Sequence, residues 1–460
     1  MSDFASIHAR HVQDARDFTP QAIAQLGWSR DQIAEAQTRG LRKTVDHAQQ
    51  YSPYYANLIG SLEASTLDLS DLTKIPPLTK AIVMDHWDDI VTDRSLKLED
   101  VLAHLDQLHR GETQNPYFRG DLYAAATGGT SGKRGVYLWD WETYIVTANI
   151  TYRMEMQRDL MQAPDGPRRT AVVCAGSYVH ASRLLYPTSL DPKREMQVFP
   201  ADTPLDEMVE ALNRYQPDRL VGYASVVQEL CALAQDGKLK ISLNRLSTNS
   251  EPLFQEARDL AKEVWGIGIN DAWGSVEIGL AATEGDDYGG VSLAEDFVIF
   301  EPVDDEDQPM QDPHFAERVL CTKLYGTAMP MIRYEMTDKM TFDIDDNPDA
   351  PGCRRIKEIR GRADDWFVYS GSIKVHPMSF RGVLGQERHI SEYQVIQTER
   401  GADVRVITHG DISFEALYSA VEGLLKDAGV SQPEVNFKRV QELPRHPQTN
   451  KLKRFVPLDE

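Results

Sequence analysis

The residues that most clearly suit chemistry form one short loop, Ala126-Thr127-Gly128-Gly129-Thr130-Ser131-Gly132-Lys133. Its glycines let the backbone turn tightly and present N–H groups to an anion, while the hydroxyls and the lysine add donors and positive charge. The loop is not a Walker A motif, because that motif needs glycine at 127 and serine or threonine at 134, where this chain has Thr127 and Arg134. We therefore expect a phosphate-binding loop of another kind, with a ligand-free surface turn as the alternative.

Four further stretches combine acids, aromatic rings or cations in ways that suit a nucleotide. Asp271-Ala272-Trp273-Gly274-Ser275-Val276-Glu277 offers a flat ring for stacking and two carboxylates, one suited to an exocyclic amine and one to a divalent metal. Asp338 follows Met329-Pro330-Met331-Ile332-Arg333-Tyr334 and suits two ribose hydroxyls, Gly361-Arg362-Ala363-Asp364-Asp365 is a charged turn, and residues 442–454 carry lysines on a proline-containing loop. Each has a structural alternative: Trp273 as core, Asp338 as a helix cap and the lysines as a solvated face.

The pattern along the chain predicts the elements that must position these residues. Residues 1 to about 100 read as helices, and the glycine-rich loop is expected to join two strands. From about 143 to 270 short apolar runs, such as 171–175 and 219–223, alternate with helical stretches, which predicts parallel strands joined by crossover helices. Ligands of such sheets gather beyond the carboxyl ends of the strands.

A chain of 460 residues is long enough for two or three domains. We predict an α/β fold with a large N-terminal domain, 1–361, built on parallel sheets and crossover helices, whose first 100 or so residues form a helical cap. The remaining residues, 362–460, contain two strand patterns and one helix pattern, which predicts a small α+β C-terminal domain.

Composition limits the classes of partner. The 71 acidic and 49 basic residues give a net charge of −22, which argues against binding nucleic acid or an anionic membrane surface. Four cysteines lie far apart in the sequence, as expected for buried thiols in a reducing compartment. Because the sequence has neither a secretory leader nor an apolar run of membrane-spanning length, we expect a cytoplasmic protein.

Taken together and in this order, the five motifs resemble those of the adenylate-forming superfamily of acyl-CoA synthetases. Residues 41–80, Ala328–Tyr334 and Gly361–Asp365 are similar to the phenylacetate–coenzyme A ligase family, and the resemblance extends from about residue 35 to the end. It implies that the large domain is an adenylating domain that binds ATP and an acid, and that the small domain is mobile and turns about Asp364.

The resemblance also implies a role for each motif. The glycine-rich loop would bind the β- and γ-phosphates of ATP, Glu277 would help to hold Mg²⁺, and Lys451 would contact the acid carboxylate and the α-phosphate. Trp273 would stack on adenine, and Asp271 would accept a hydrogen bond from its amine. The implied nucleotide-binding residues are Thr127, Gly128, Gly129, Thr130, Ser131, Gly132, Lys133, Ser250, Glu251, Pro252, Asp271, Ala272, Trp273, Gly274, Ser275, Asp338 and Arg362, with Lys451 and Glu277 as catalytic residues.

The acid pocket is expected between about Tyr178 and Ser275, with Tyr178, His180, Tyr223 and Ala224 as candidate lining residues. The chain departs from the family pattern at three places. Val276 replaces a serine or threonine before the glutamate, Glu335-Met336-Thr337 replaces Arg-Thr-Gly, and Asn450 replaces the glycine before the lysine. Residues 283–296 contain no cysteine or histidine, so we predict no zinc site there.

The leading hypothesis is an AMP-forming acyl-CoA ligase that activates an aromatic carboxylate, aryl or arylacetic, with ATP, Mg²⁺ and coenzyme A. A second hypothesis keeps the adenylation step but delivers the acyl group to a carrier protein or an amine. A third is a nucleotide-binding protein without turnover. The sequence leaves open the acid, the acceptor and whether the protein is a homodimer.

Overall fold

The fold is described from a computed structural model. The residues it describes are 4–127, 135–162, 168–285, 290–310, 315–316, 318–343, 352–362, 367–371, 373–375, 377–384, 387, 389–408, 410, 412–445 and 452–458.

Six helices occupy the first part of the chain. The second begins with a reciprocal cap, in which the Ser29 side chain accepts from the Gln32 backbone and the Gln32 side chain accepts from the Ser29 backbone. Two short 3₁₀ turns, Ala64–Thr66 and Leu69–Lys74, separate the third helix from the fourth. The six helices are α1 (Phe4–Gln25), α2 (Arg30–Tyr51), α3 (Pro53–Ile59), α4 (Lys80–Asp85), α5 (Trp87–Ile90) and α6 (Leu98–His109).

A three-stranded antiparallel sheet carries the glycine-rich loop. It consists of β1 (Tyr117–Phe118), β2 (Leu122–Ala126) and β3 (Val136–Trp139). Because Ala126 pairs with Val136, the loop is the connection of a β2–β3 hairpin, which confirms that it joins two strands. The long helix α7 (Trp141–Gln162) follows, and α1 packs along it.

The centre of the large domain is a ten-stranded mixed sheet. Its strands lie in the order β12-β15-β16-β10-β9-β8-β7-β6-β4-β5. The five strands β5, β4, β6, β7 and β8 are parallel to one another and are connected by helices, which confirms the predicted parallel sheet with crossovers. These elements are β4 (Arg169–Cys174), α8 (Ala181–Leu185), β5 (Glu195–Pro200), α9 (Leu205–Tyr215), β6 (Arg219–Tyr223), α10 (Ala224–Gln235), β7 (Arg245–Asn249), α11 (Gln255–Trp265) and β8 (Ile269–Ser275).

The chain reverses its direction of progress across this sheet at β4. From β4 it moves outward to β5 and then crosses back to β6 on the other side of β4. A crevice forms at such a switch point beyond the carboxyl ends of the two strands, and ligands of open α/β sheets bind there. The carboxyl ends of β4 and β6 are Cys174 and Tyr223.

The antiparallel half of the large sheet and two smaller sheets complete the described chain. A three-stranded sheet is ordered β11-β13-β14, β17 pairs with β18, and the C-terminal sheet is ordered β21-β20-β19-β22 with α12 and α13 packed beside it. The strands and helices are β9 (Gly279–Glu284), β10 (Val291–Leu293), β11 (Val298–Val303), β12 (Phe315–Ala316), β13 (Arg318–Lys323), β14 (Tyr334–Met336), β15 (Asp338–Asp343), β16 (Arg355–Arg362), β17 (Phe367–Tyr369), β18 (Ile373–Val375), α12 (Pro377–Leu384), β19 (Ile390–Thr398), β20 (Gly401–Thr408), α13 (Phe414–Asp427), β21 (Glu434–Arg439) and β22 (Phe455–Val456).

The hydrophobic core follows this architecture. The small α+β domain has its own buried cluster, which includes Phe367, Val395 and Val421, separate from the clusters of the large domain. The predicted α/β fold, with a large sheet-rich domain and a small α+β domain, is confirmed. Among the described helices, none is both long enough and apolar enough to cross a bilayer.

Candidate functional site

The base of the glycine-rich loop is closed by two hydrogen bonds. The Thr127 N–H donates to the Gly135 carbonyl at 2.9 Å, and the Gly135 N–H donates to Thr127 Oγ1 at 3.0 Å. The rest of the predicted phosphate-binding set, residues 128–134, lies outside the described residues. The loop therefore begins and ends at one fixed point, at the ends of β2 and β3.

Glu277 lies on the turn between β8 and β9, close to two tyrosines. The Tyr334 hydroxyl donates to Glu277 Oε1 at 3.2 Å, and the Tyr137 hydroxyl lies 3.3 Å from that of Tyr334. Burial raises the pKa of Tyr137 far above its usual value, and the nearby charge of Glu277 adds to the shift. Tyr137 is therefore a neutral donor.

Glu277 is only 8% exposed, and within the described residues no basic side chain forms an ion pair with it. A buried carboxylate without a cationic partner is costly, so this arrangement suits a bound cation. The turn that carries Glu277 also depends on Gly279, whose φ is +75°. A Cβ at that position would lie 2.6 Å from Thr147 Oγ1 and 2.7 Å from the Tyr325 hydroxyl oxygen.

Asp271 and Trp273 lie on the same face of β8, two residues apart, and both are buried. Thr248 donates to Asp271 Oδ1 at 2.7 Å, and burial raises the pKa of Asp271 to about 7. The Trp273 ring packs in the core, with its centroid 6.2 Å from that of Phe300. Ala272, Gly274 and Ser275, between and after them, are half-buried.

The Asn249–Pro252 turn directly follows β7, at the carboxyl edge of the parallel strands. Ser250 adopts a left-handed backbone with φ +66°, and Pro252, two residues further on, is exposed. The Glu251 carboxylate accepts from the Ser225 N–H at 2.8 Å, in the first turn of α10. Its other oxygen accepts from the Leu452 N–H at 3.0 Å, so one side chain joins the large domain to the C-terminal segment.

The C-terminal segment makes a second contact with the large domain through Arg445. Its guanidinium donates to Ser225 Oγ at 3.0 Å, contacts Glu229 of α10, and pairs with Glu392 of β19 at 2.9 Å. Burial, followed by the charge of Glu229, raises the pKa of Glu392. Lys451 itself lies outside the described residues, as do His446–Asn450.

The four candidate acid-pocket residues lie at the switch point of the sheet. Tyr223 ends β6, and its hydroxyl accepts from the Ala175 N–H at 2.9 Å, just beyond β4. Ala224 begins α10 and is buried. The loop that carries Tyr178 and His180 is held by β2, because the Tyr123 hydroxyl donates to the Tyr178 carbonyl at 2.6 Å.

Tyr178 is the half-buried member of this group, whereas His180 is buried. The Tyr178 ring lies under the Arg183 guanidinium, 4.6 Å from the ring centroid, and meets Phe4 of α1 edge-on at 5.3 Å. The first helix therefore contributes to the surroundings of the expected pocket, a contact that no local sequence pattern indicated.

Asp338 and Arg362 are brought together by strand pairing. Asp338 begins β15, Arg362 ends β16, and the two are Cα partners in the ladder. The Arg362 side chain and Asp364 lie outside the described residues. Asp338 begins a strand and does not lie at a helix end, so the helix-cap alternative was wrong.

Several residues around these motifs were missed by the sequence reasoning. Tyr137 lies four residues after Lys133 and belongs to none of the motifs, and the motif that contains Tyr334 assigns it no role. Glu229, Glu392 and Arg445 are far apart in the sequence, and no spacing signal links them. Only the fold brings these groups together.

No protein-family model matches the chain. A search of curated proteins found Protein CapK of Staphylococcus aureus, 20% identical over 356 residues, which covers 73% of this chain and 69% of that protein. Its name does not state an activity.

Several similar solved structures are acyl-CoA ligases. A 2-hydroxyisobutyryl-CoA ligase in the postadenylation state, in complex with R3-HIB-AMP, matches with a TM-score of 0.71 at 16% identity, covering 94% of this chain and 91% of that one. The same enzyme in the thioesterification state, with 2-HIB-AMP and CoA, matches with a TM-score of 0.58 at 18% identity, covering 93% of this chain and 90% of that one. The anthranilate CoA ligase AuaEII with anthranoyl-AMP matches with a TM-score of 0.52 at 19% identity, covering 72% of this chain and 65% of that one. The chain therefore has the fold of the adenylate-forming acyl-CoA ligases.

Proposed function

We propose that the protein is an AMP-forming acid–thiol ligase, which activates a carboxylic acid with ATP and transfers the acyl group to coenzyme A. The observation that supports this most directly is the hydrogen bond from the Leu452 N–H to Glu251. It holds the backbone next to Lys451 against the turn after β7, at the edge of the parallel sheet where ligands of this fold class bind.

In the first half-reaction, a carboxylate oxygen of the acid attacks the α-phosphorus of ATP. The new C–O–P linkage forms as the bond to the pyrophosphate oxygen breaks, which gives an acyl adenylate and pyrophosphate. No protein nucleophile is needed, because the protein binds, orients and neutralises charge. Lys451 meets the acid carboxylate and the α-phosphate, and the loop closed by Thr127 and Gly135 cradles the outer phosphates.

The residues present fit a divalent cation at Glu277. Its carboxylate is buried, accepts a hydrogen bond from the Tyr334 phenol, and forms no ion pair with a basic side chain in the described part of the chain. When bound, Mg²⁺ would neutralise phosphate charge during the in-line transfer. Tyr334 would hold the Glu277 carboxylate in place through Oε1.

In the second half-reaction, the coenzyme A thiol attacks the adenylate carbonyl and AMP leaves. The same site must then release the Lys451 segment and admit the thiol, so we propose that the small domain rotates about Asp364. The TM-score to the 2-hydroxyisobutyryl-CoA ligase is higher for its postadenylation state, 0.71, than for its thioesterification state, 0.58. This supports the view that the described arrangement serves adenylation.

We further propose an aromatic acid and a phenylacetate–coenzyme A ligase-like subtype. The support is the motif resemblance together with the half-buried Tyr178 ring near the switch point of the sheet. Similar enzymes bind both kinds of acyl adenylate, an aliphatic one in the 2-hydroxyisobutyryl-CoA ligase and an aromatic one in the anthranilate CoA ligase. Both classes of acid therefore belong in the test.

The test is pyrophosphate release with Mg-ATP across aromatic and aliphatic acids, with and without coenzyme A, for wild type and Lys451→Ala. We expect one aromatic acid to trigger release that Lys451→Ala abolishes, and a thioester to form only with coenzyme A. Release without a thioester would point to a carrier protein or an amine as acceptor. If ATP binds but none of the acids triggers pyrophosphate release, the ligase assignment is refuted and a nucleotide-binding protein without turnover remains.

A further inference from the structure

We propose that Tyr137 is a positioning residue that links the base of the glycine-rich loop to Glu277 and holds this carboxylate in the orientation that receives the divalent cation of bound ATP. The inference rests on the proposed function and deepens it by assigning a residue that none of the recognised motifs contains.

A continuous chain of contacts runs through Tyr137. Its hydroxyl lies 3.3 Å from the Tyr334 hydroxyl, which donates to Glu277 Oε1 at 3.2 Å. The hydroxyl-bearing edge of the Tyr137 ring also lies against Gly135. A Cβ on Gly135 would be 2.8 Å from Tyr137 Cε2, 3.0 Å from its hydroxyl oxygen and 3.1 Å from Thr127 Oγ1.

Gly135 and Thr127 are the residues that close the glycine-rich loop. The Tyr137 ring therefore packs directly on the hydrogen-bonded pair from which the loop emerges, and its hydroxyl is linked through that of Tyr334 to the carboxylate of the β8–β9 turn. Only glycine allows this approach at position 135, because any side chain would displace the Tyr137 ring. The loop proposed to bind phosphates and the carboxylate proposed to bind their cation thus share one rigid connection.

The chain of contacts is rigid because its members are buried and hydrogen-bonded. Tyr137 is 1% exposed, Tyr334 is 3% exposed, and the two rings meet edge-on with centroids 6.5 Å apart. Tyr137 also lies on β3, where pairing with Ala125 of β2 fixes its backbone. A carboxylate held by a Tyr334 hydroxyl that Tyr137 in turn holds keeps its remaining acceptor positions in one direction, which is how groups around a metal ligand usually affect affinity.

Two phenylalanine substitutions separate this role from a purely structural one. Tyr137→Phe keeps the ring that packs on Gly135 and removes only the hydroxyl. Tyr152→Phe is the matched control, because Tyr152 of α7 is also buried and its hydroxyl donates at 2.8 Å to the carbonyl of Tyr186, which directly follows α8 and lies outside the proposed site. Both variants lose one buried phenol hydroxyl.

The measurement is binding of Mn²⁺, an EPR-visible probe, to the full-length protein with the α,β-methylene analogue of ATP. Binding of the metal-free analogue is measured separately by calorimetry. We expect Tyr137→Phe to raise the Mn²⁺ Kd about tenfold, as is typical for partners of a metal ligand, and to change the affinity for the metal-free analogue by less than about twofold. Tyr152→Phe should leave both values unchanged.

Each outcome bears on the inference. An unchanged Mn²⁺ Kd in Tyr137→Phe would overturn it, as would an equal rise in Tyr152→Phe, since that would show a general effect of lost stability. If the wild-type protein bound neither the analogue nor Mn²⁺, the proposed function would fail and this inference with it. If the wild type bound both and Tyr137→Phe matched it, only this inference would fail.

Discussion

Replacing Arg445 with methionine removes the cation that joins the small domain to the large one and keeps most of the side-chain volume. Arg445 is 14% exposed and lies between Glu392 of its own domain, 2% exposed, and Glu229 of α10, 24% exposed. In Arg445→Met, two carboxylates remain close together without their shared cation, and Ser225 Oγ loses a donor. Docking of the two domains should therefore weaken.

The size of the effect follows from burial. Removing one partner of a buried ion pair costs about 3–5 kcal/mol. Because Glu229 is partly solvated, water screens its interaction with Arg445. We therefore take about 2–3 kcal/mol as the loss in docking free energy. Since 1.4 kcal/mol corresponds to a factor of ten, the docked population relative to the undocked one falls roughly 30- to 150-fold.

The two half-reactions provide the assay. We expect the pre-steady-state rate of pyrophosphate release to fall by up to about 150-fold in Arg445→Met. Thioester formation from supplied acyl adenylate and coenzyme A should stay within about threefold of wild type, because that step needs the undocked arrangement. Arg400→Met is the control: its ion pair with Glu434 lies within the small domain and is 60% exposed on both sides, so little change is expected. Equal slowing of both half-reactions, or of neither, would refute the reasoning.

Three further changes test the geometry. In the docked arrangement, burial and the charge of Glu229 raise the pKa of Glu392, so docking is favoured at low pH and weakens as pH rises through that pKa. The rate of pyrophosphate release should therefore decline on the alkaline side. Glu392→Gln should remove that decline. Burial raises the pKa of Asp271 to about 7, so the protein loses stability as pH rises through that value and this group ionises. Asp271→Asn should therefore raise Tm relative to wild type more at pH 8.5 than at pH 5.5. A larger gain at pH 5.5 would contradict the raised pKa of Asp271. Gly279→Ala forces a side chain into a left-handed backbone conformation and against Thr147, so it should destabilise the protein by about 1–3 kcal/mol, measured by urea unfolding. Gly237 has a similar φ, but a Cβ there would lie in open space, so Gly237→Ala should cost less stability.

The fold could be predicted because its elements follow from local sequence patterns. Apolar runs at 171–175 and 219–223 became β4 and β6, the helices between them became crossovers, and the glycine-rich loop became a hairpin connection. Each of these features depends on a few neighbouring residues, whose period and turn chemistry can be read directly. The small C-terminal α+β domain was recognised in the same way.

The candidate site was only partly predictable, because its members meet through tertiary packing. Tyr137 and Tyr334 are separated by 197 positions, and Arg445 and Glu229 by 216. No periodicity links such pairs. The motif left two alternatives for Trp273, a stacking face for adenine or a place in the core, and the side chain is 6% exposed and packs near Phe300. Its stacking on adenine therefore stays a prediction, as do the roles of residues 128–134 and Lys451.

Strand β16 has a mechanical consequence for any turning of the small domain. It is hydrogen-bonded to β15 from Arg355 to Arg362 and to β10 at its start, and it ends just before the proposed hinge. A torque from the small domain would thus act on a strand that pairing with β15 holds up to its last residue, which resists bending. The twist must be absorbed over a very short length of chain, so a single-molecule distance trajectory should show abrupt jumps between two dwell levels and little time in between.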